Sequence, residues 1–296
     1  MTWEWKIGDP VDDATGGSME AENWGHGDED DENMDDEIGY KDPRPEQYGK
    51  KAWDLYMDFR EEEALRYINM ALDLDDSHAG NWNRKAIILE AMNNYRQSER
   101  CYNRSLELSP SNLVHDNKAR MLYDWASQLL EESKKLPNGL NMLDEANNTL
   151  TRAIEALPGE GSEEDINKYL KLRDSINFYI DYERKYLNNL ETLGKYKRNE
   201  LFTITGRNHY RDVKITRGMP LRLVREPDNE FDPDAIAVYA GDSKMGYVAN
   251  NDYTKHELTS SASQLKDEIP DKAHGEYLLY LERYVEVQFA IGRIIK

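Results

Sequence analysis

Nine cations crowd one stretch of an otherwise acidic chain. Lys195, Lys197, Arg198, Arg207, Arg211, Lys214, Arg217, Arg222 and Arg225 face only Glu200 and Asp212 there, net +7, while the 296-residue chain carries -20. A cluster of Lys and Arg attracts phosphate, and the acidic remainder repels it at long range. Arg207, His209, Tyr210, Arg211 and Lys214 fall within one short segment of this island. Other chemistries find weaker footing. Asp228, Asp232 and Asp234 suggest a calcium loop, but Pro233 interrupts them and the Gly and terminal Glu of an EF-hand are missing. His26, His78, His115, His209, His256 and His274 make no close metal spacing. Neither a phosphate-binding Gly-x-x-x-x-Gly-Lys loop nor a Gly-x-Ser-x-Gly elbow is present. Cys101 is the single cysteine, which excludes an intrachain disulfide and a Cys-rich zinc site and fits a buried helix position. The expectation is a binding protein, not an enzyme, with no cofactor and no metal. A hydrolase built from dispersed carboxylates and a metal stays open as an alternative.

The elements that must position the island come from patterning. Residues 1–42 are expected to be an acidic disordered tail: the first 41 hold fourteen carboxylates against Lys6 and Lys41, with almost no periodic apolar residues. Such a tail solubilises or makes weak contacts. It could also compete with nucleic acid for the island, with Trp3, Trp5 and Trp24 mimicking stacked bases. Its acidic start lacks the apolar core of a secretory signal, and no stretch of the chain reaches the ~18 apolar residues of a membrane span. An intracellular, cytoplasmic location without membrane contact is expected.

Residues 43–160 carry a self-similarity at a spacing of 34: Tyr48 and Trp82, Ala52 and Ala86, Leu55 and Leu89, Ala64 and Ser98, Ile68 and Tyr102, Ala71 and Ser105, Leu74 and Leu108, Asp76 and Pro110. Small residues recur where two helices approach, and large ones where a side chain fills the space between them. Spacing and pattern resemble tetratricopeptide repeats over about Tyr48 to Pro158, which implies a groove for a protein or peptide. The positions near Asn83 and Ile87 lack the Lys and Asn set with which relatives clamp a terminal carboxylate. A third unit reads from Ala146, Leu150, Ala153, Ile154 and Pro158 after fourteen extra residues, with Lys135 to Gly139 expected as an extended loop. Residues 161–198 read as a capping helix and linker, with Gly194 and the basic Lys195 to Arg198 as its C-terminal signal.

From residue 199 to 296 the period shortens. Thr203 to Thr205, Leu221 to Arg225, Ala235 to Tyr239, Met245 to Val248 and Tyr284 to Ile291 predict five strands of a small barrel. Short helices are expected at Tyr253 to Gln264 and at Lys272 to Leu281. The fold class is therefore α+β in two modules, a helical repeat array followed by a β-barrel.

One block in this last region is specific. Arg225-Glu226-Pro227-Asp228-Asn229-Glu230-Phe231-Asp232-Pro233-Asp234-Ala235-Ile236 is followed by Gly246-Tyr247-Val248, and preceded by Gly206-Arg207-Asn208-His209-Tyr210. It resembles the HIRAN domain. The resemblance implies an oligonucleotide-binding-like barrel that captures single-stranded or 3′-end DNA, in a setting of DNA repair. The family's Gly-x-x-Tyr-Tyr loop falls on Gly206, His209 and Tyr210, and its Tyr-Asp pair on Phe231 and Asp232. Those aromatics would sandwich a terminal base, and the carboxylate would meet the sugar. His209 and Phe231 keep flat faces but lose two hydroxyls. Ala249, Asn250 and Asn251 stand where some relatives carry lysines, for which Arg207, Arg211 and Lys214 compensate. The site set is thus Arg207, His209, Tyr210, Arg211, Lys214, Phe231, Asp232 and Tyr247, taken as nucleic-acid-binding. Phe231 as plain core, Asp232 as a turn cap and Tyr247 as a packed strand residue remain the competing readings. The whole reads as an adaptor joining DNA to a protein partner, with an interaction scaffold that has lost nucleic acid as the alternative.

Overall fold

The structure is a computed structural model that describes residues 42–158, 163–210, 214–283 and 287–295. The acidic tail lies outside the described residues. Helices α1 (Arg44–Met57), α2 (Glu61–Leu74), α3 (Ala79–Ala91) and α4 (Tyr95–Leu108) form two hairpins. Five of the matched pairs are buried in both copies: Ala52 and Ala86, Leu55 and Leu89, Ala64 and Ser98, Ile68 and Tyr102, Ala71 and Ser105. The serines replacing alanine satisfy themselves on the facing helix, Ser98 donating to the Ala86 carbonyl at 2.8 Å and Ser105 to that of Ala79 at 2.9 Å. Each hairpin turns through a left-handed residue at the same repeat position, Phe59 at φ 59° and Asn93 at φ 57°. Cys101 is buried in α4, as expected.

Helix α5 (Asn112–Ser133) spans 22 residues against 14 in α1, and α6 (Leu140–Ala156) buries Ala146, Leu150 and Ala153. The extra residues of the third unit therefore lengthen a helix as well as supplying the connection at 134–139. Helix α7 (Glu163–Leu193) runs 31 residues. The chain separates into two compact units: one holds the described residues to Trp125 with Thr149–Ile166, the other Ala126–Asn148 with the described residues from Asn167.

In the second unit six strands close a barrel in the order β1-β4-β3-β2-β5-β6, every pairing antiparallel. They are β1 (Leu201–Thr205), β2 (Pro220–Arg225), β3 (Ile236–Ala240), β4 (Ser243–Val248), β5 (Lys272–Arg283) and β6 (Val287–Ile295). Closure removes the exposed edges that a short open sheet would leave. Phe202, Leu221, Leu223, Ile236, Val238 and Met245 fill the interior. Gly246 sits at φ 147° where β4 crosses β1, and a Cβ there would collide with the Thr205 carbonyl oxygen. The glycine of the Gly-Tyr-Val signature is thus required by strand packing.

Two expectations are corrected. Lys272 to Leu281 is strand β5, not a helix. Its run Tyr277-Leu278-Leu279-Tyr280-Leu281 lacks alternation because both faces are covered: Ala273 and Tyr277 face the barrel core, while Leu278, Leu279 and Leu281 pack with Leu193 of α7. A bulge between Tyr277 and Leu279 changes the facing. Tyr253 to Gln264 is largely turns, with a four-residue helix α8 at Ala262–Leu265. Helix α7 is further pinned by the buried Glu183, which accepts from Arg283 Nε at 3.0 Å, from the Arg283 terminal nitrogen at 3.1 Å and from the Gly139 amide at 3.3 Å. Arg283 also donates to the Leu136 carbonyl.

Candidate nucleic-acid interface

The block between β2 and β3 builds a rigid loop from its own polar groups. Asn229 Oδ1 accepts from the amides of Phe231 at 3.0 Å and Asp232 at 3.2 Å. Asp232 Oδ1 accepts from the Asp234 amide at 2.9 Å, and its Oδ2 from Asn250 Nδ2 at 2.9 Å. Side-chain carbonyls and carboxylates that capture nearby amides fix a turn without help from a sheet. The result is a Phe231 residue 94% exposed to solvent on a loop whose backbone is held at three amides, with Asp232 tied to Asn250 besides. Phe231 is no core residue.

Below the loop, Glu226 accepts from Lys244 Nζ at 2.9 Å, from Asn229 Nδ2 at 3.0 Å and from the Tyr247 hydroxyl at 3.3 Å. Lys244 also donates to the Tyr247 hydroxyl at 2.6 Å and lies 4.1 Å from that ring's centroid. Burial opposes ionisation of Glu226, but the bonds from Lys244, Asn229 and Tyr247 outweigh it and hold the carboxyl below its ordinary range. The Tyr247 hydroxyl is therefore committed inward, leaving its ring as wall.

Two adjoining cavities open on this side of the barrel. The smaller, of about 280 Å³, is lined by Asn229, Phe231, Asp232, Tyr247, Asn250 and Asn251. The larger, of about 740 Å³, is lined by Arg207, Lys214, Tyr253, Tyr277, Tyr280 and Phe289. Thr205 and Thr254 line both. Burial pushes the Tyr277 hydroxyl up to about 12, against the pull of the nearby Arg207 charge, so the floor of the cleft keeps a neutral phenol. His256 packs behind Phe289, its ring edge-on to that ring at 5.4 Å and accepting from the Leu258 amide at 3.3 Å; burial lowers its basicity.

Of the site residues named from sequence, the structure brings Phe231, Asp232 and Tyr247 together, and Arg207 with Lys214 beside them. His209 and Tyr210 end the short 3-10 turn Arg207–His209 and line neither cavity, His209 exposed and Tyr210 half-buried. Arg211 lies outside the described residues. Much of the basic island is spent locally: Arg198 donates to the Thr259 carbonyl, Arg222 covers the Tyr239 ring at 4.8 Å, and Arg225 pairs with Asp271 at 3.4 Å. Sequence reasoning missed Tyr253, Tyr277 and Tyr280. The last two were hidden by reading β5 as a helix, and Tyr253 by the expectation of another. Among the described residues, no group of three His, Cys, Asp or Glu could hold a metal ion, and no helix is long and apolar enough to cross a membrane.

The family model of the HIRAN domain matches residues 200–256, so the chain carries a HIRAN domain that spans β1 to β4 and the loops lining both cavities. No curated protein matches the chain. Solved structures resemble its helical part. The Yersinia enterocolitica type III secretion chaperone SycD, in complex with a peptide of the translocator YopD, is 16% identical at a TM-score of 0.34, covering 47% of this chain and 97% of its own. The first tetratricopeptide domain of Spaghetti (RPAP3), bound to an HSP90 peptide, is 13% identical at 0.34, covering 47% and 98%. Naa15/Naa10 bound to HypK-THB is 20% identical at 0.26, covering 51% and 25%. Likeness at these scores says nothing of a shared activity.

Proposed function

We propose that the chain is a non-enzymatic adaptor whose barrel holds the end of a single DNA strand while its helical repeats hold a protein partner. The observation that carries the reading is Phe231, 94% exposed on a loop whose amides at Phe231, Asp232 and Asp234 are captured by side chains, beside a cavity that adjoins the one lined by Arg207 and Lys214. An exposed aromatic face on an ordered loop is open to stacking, which is worth ~1–3 kcal/mol per base. Single strands present unpaired faces, and a duplex hides them. The Asn229, Asp232 and Asn250 cluster offers polar groups to a sugar end. For the repeats, the two hairpins supply the scaffold, and among the described residues Asn83 Oδ1 on α3 is buried without a hydrogen-bond partner, an acceptor that a peptide amide would satisfy once a neighbour shifts.

The test is fluorescence anisotropy of the full chain with a short labelled single strand, its duplex, and a strand with a blocked 3′ end. The single strand is expected to bind more tightly than either, with affinity falling as salt rises, by a log-log slope of about -1.4 for two phosphate contacts. Equal binding of strand and duplex, or none at low salt, contradicts the reading and favours an interaction scaffold.

A further inference from the structure

The loop that presents Phe231 has a twin. Asn251 Oδ1 accepts from the amides of Tyr253 at 3.1 Å and Thr254 at 3.0 Å, as Asn229 Oδ1 accepts from Phe231 and Asp232. In both places an asparagine captures the second and third amides after it and turns the intervening aromatic residue outward. Tyr253 is 96% exposed, a match for Phe231 at 94%. Phe231 borders the smaller cavity and Tyr253 the larger, with Thr205 and Thr254 as their shared wall.

The charges divide in the same way. Among the described residues the smaller cavity is lined by Asp232 and by amide, hydroxyl and apolar side chains, with no lysine or arginine. A phosphate attached to a nucleoside seated there is drawn towards the neighbouring cleft, where Arg207 and Lys214 stand. Among the described residues Arg207 Nε is closed off from solvent with no hydrogen-bond partner, whereas Arg198, Arg222 and Arg225 are bonded elsewhere in the barrel. A buried donor left open in this way gains when its guanidinium turns onto an anionic oxygen. The volumes agree. Ligand cavities run to ~300–1,000 Å³, so about 280 Å³ suits one small group and about 740 Å³ leaves room for another nucleoside and its phosphate.

We infer that the larger cleft is the seat of a second nucleotide, its base on Tyr253 and the linking phosphate at Arg207 and Lys214, so that the smallest well-held ligand is a dinucleotide. This rests on the proposed strand binding and adds its length and path. Tyr277 and Tyr280 form the floor beneath that second sugar and base.

The experiment is competition against a labelled single strand on the full chain, using thymidine 5′-monophosphate and a thymidine dinucleotide. The dinucleotide is expected to compete about tenfold better than the mononucleotide, one stacked base being worth that factor. Tyr253→Ala removes this gain, leaves the mononucleotide unchanged and weakens the labelled strand about tenfold. Phe231→Ala weakens all three. Arg207→Gln flattens the salt slope of the labelled strand by about 0.7, one phosphate contact. A labelled strand that binds and responds to Phe231→Ala but not to Tyr253→Ala overturns the second seat alone. Equal loss of mononucleotide and strand with Tyr253→Ala overturns it too, because both rings then serve one base. A labelled strand that does not bind at all overturns strand binding itself, and the second seat with it.

Discussion

Exposed aromatic residues separate binding from stability with unusual cleanness here. Phe231 touches little of the folded protein, so Phe231→Ala is expected to shift the unfolding free energy by less than about 0.5 kcal/mol, while weakening a single strand about tenfold. Thermal melts beside anisotropy titrations measure both. His256 behaves in the opposite manner. Its basicity is lowered by burial, so the folded protein resists protonating it while the unfolded chain does not. The stability it contributes is therefore complete above its ordinary value of 6.5 and is lost as pH falls from there through the lower folded value. Urea midpoints across that window should fall more steeply for the native protein than for His256→Asn. The residues of the interface were partly legible: Phe231 and Asp232 announce themselves through the Asn-x-aromatic-Asp loop. Tyr253 carries the same Asn-x-aromatic spacing in Asn251-Asp252-Tyr253, a local signal that a reading by family motif passes over.

At the scale of elements, the repeat turns offer a test. Phe59 holds a left-handed backbone while 85% exposed, whereas its counterpart in the second hairpin is Asn93. A left-handed conformation costs most side chains ~1–2 kcal/mol and asparagine less, so Phe59→Asn should stabilise the protein by about 1 kcal/mol in denaturant titrations. Arg283 on β5 supplies the contrasting case. Arg283→Met removes the cation that pairs with the buried Glu183 of α7, and the expected loss of stability should appear as a lower melting point. The helical repeats were readable because their small and large positions recur at a fixed spacing, and five of those pairs are buried in both copies. Strand β5 was not, because α7 covers its outer face. A strand buried on both sides loses the alternation that distinguishes it from a helix.

Across the whole molecule, charge opposes the proposed ligand. The first 41 residues supply net -12 of the total -20. Deleting them leaves about -8, and single-strand affinity should rise several-fold at low salt and converge with the full chain as salt screens the field. An unchanged affinity at low salt would show that the tail's charge is not felt at the barrel. The most direct test of the central claim is photocrosslinking of the full chain to a single strand carrying 4-thiothymidine at its two 3′-terminal positions, followed by peptide mapping. Adducts concentrated on the peptides bearing Phe231 and Tyr253 are predicted. Adducts scattered over the helical repeats and surface lysines, with none on those two peptides, would contradict it.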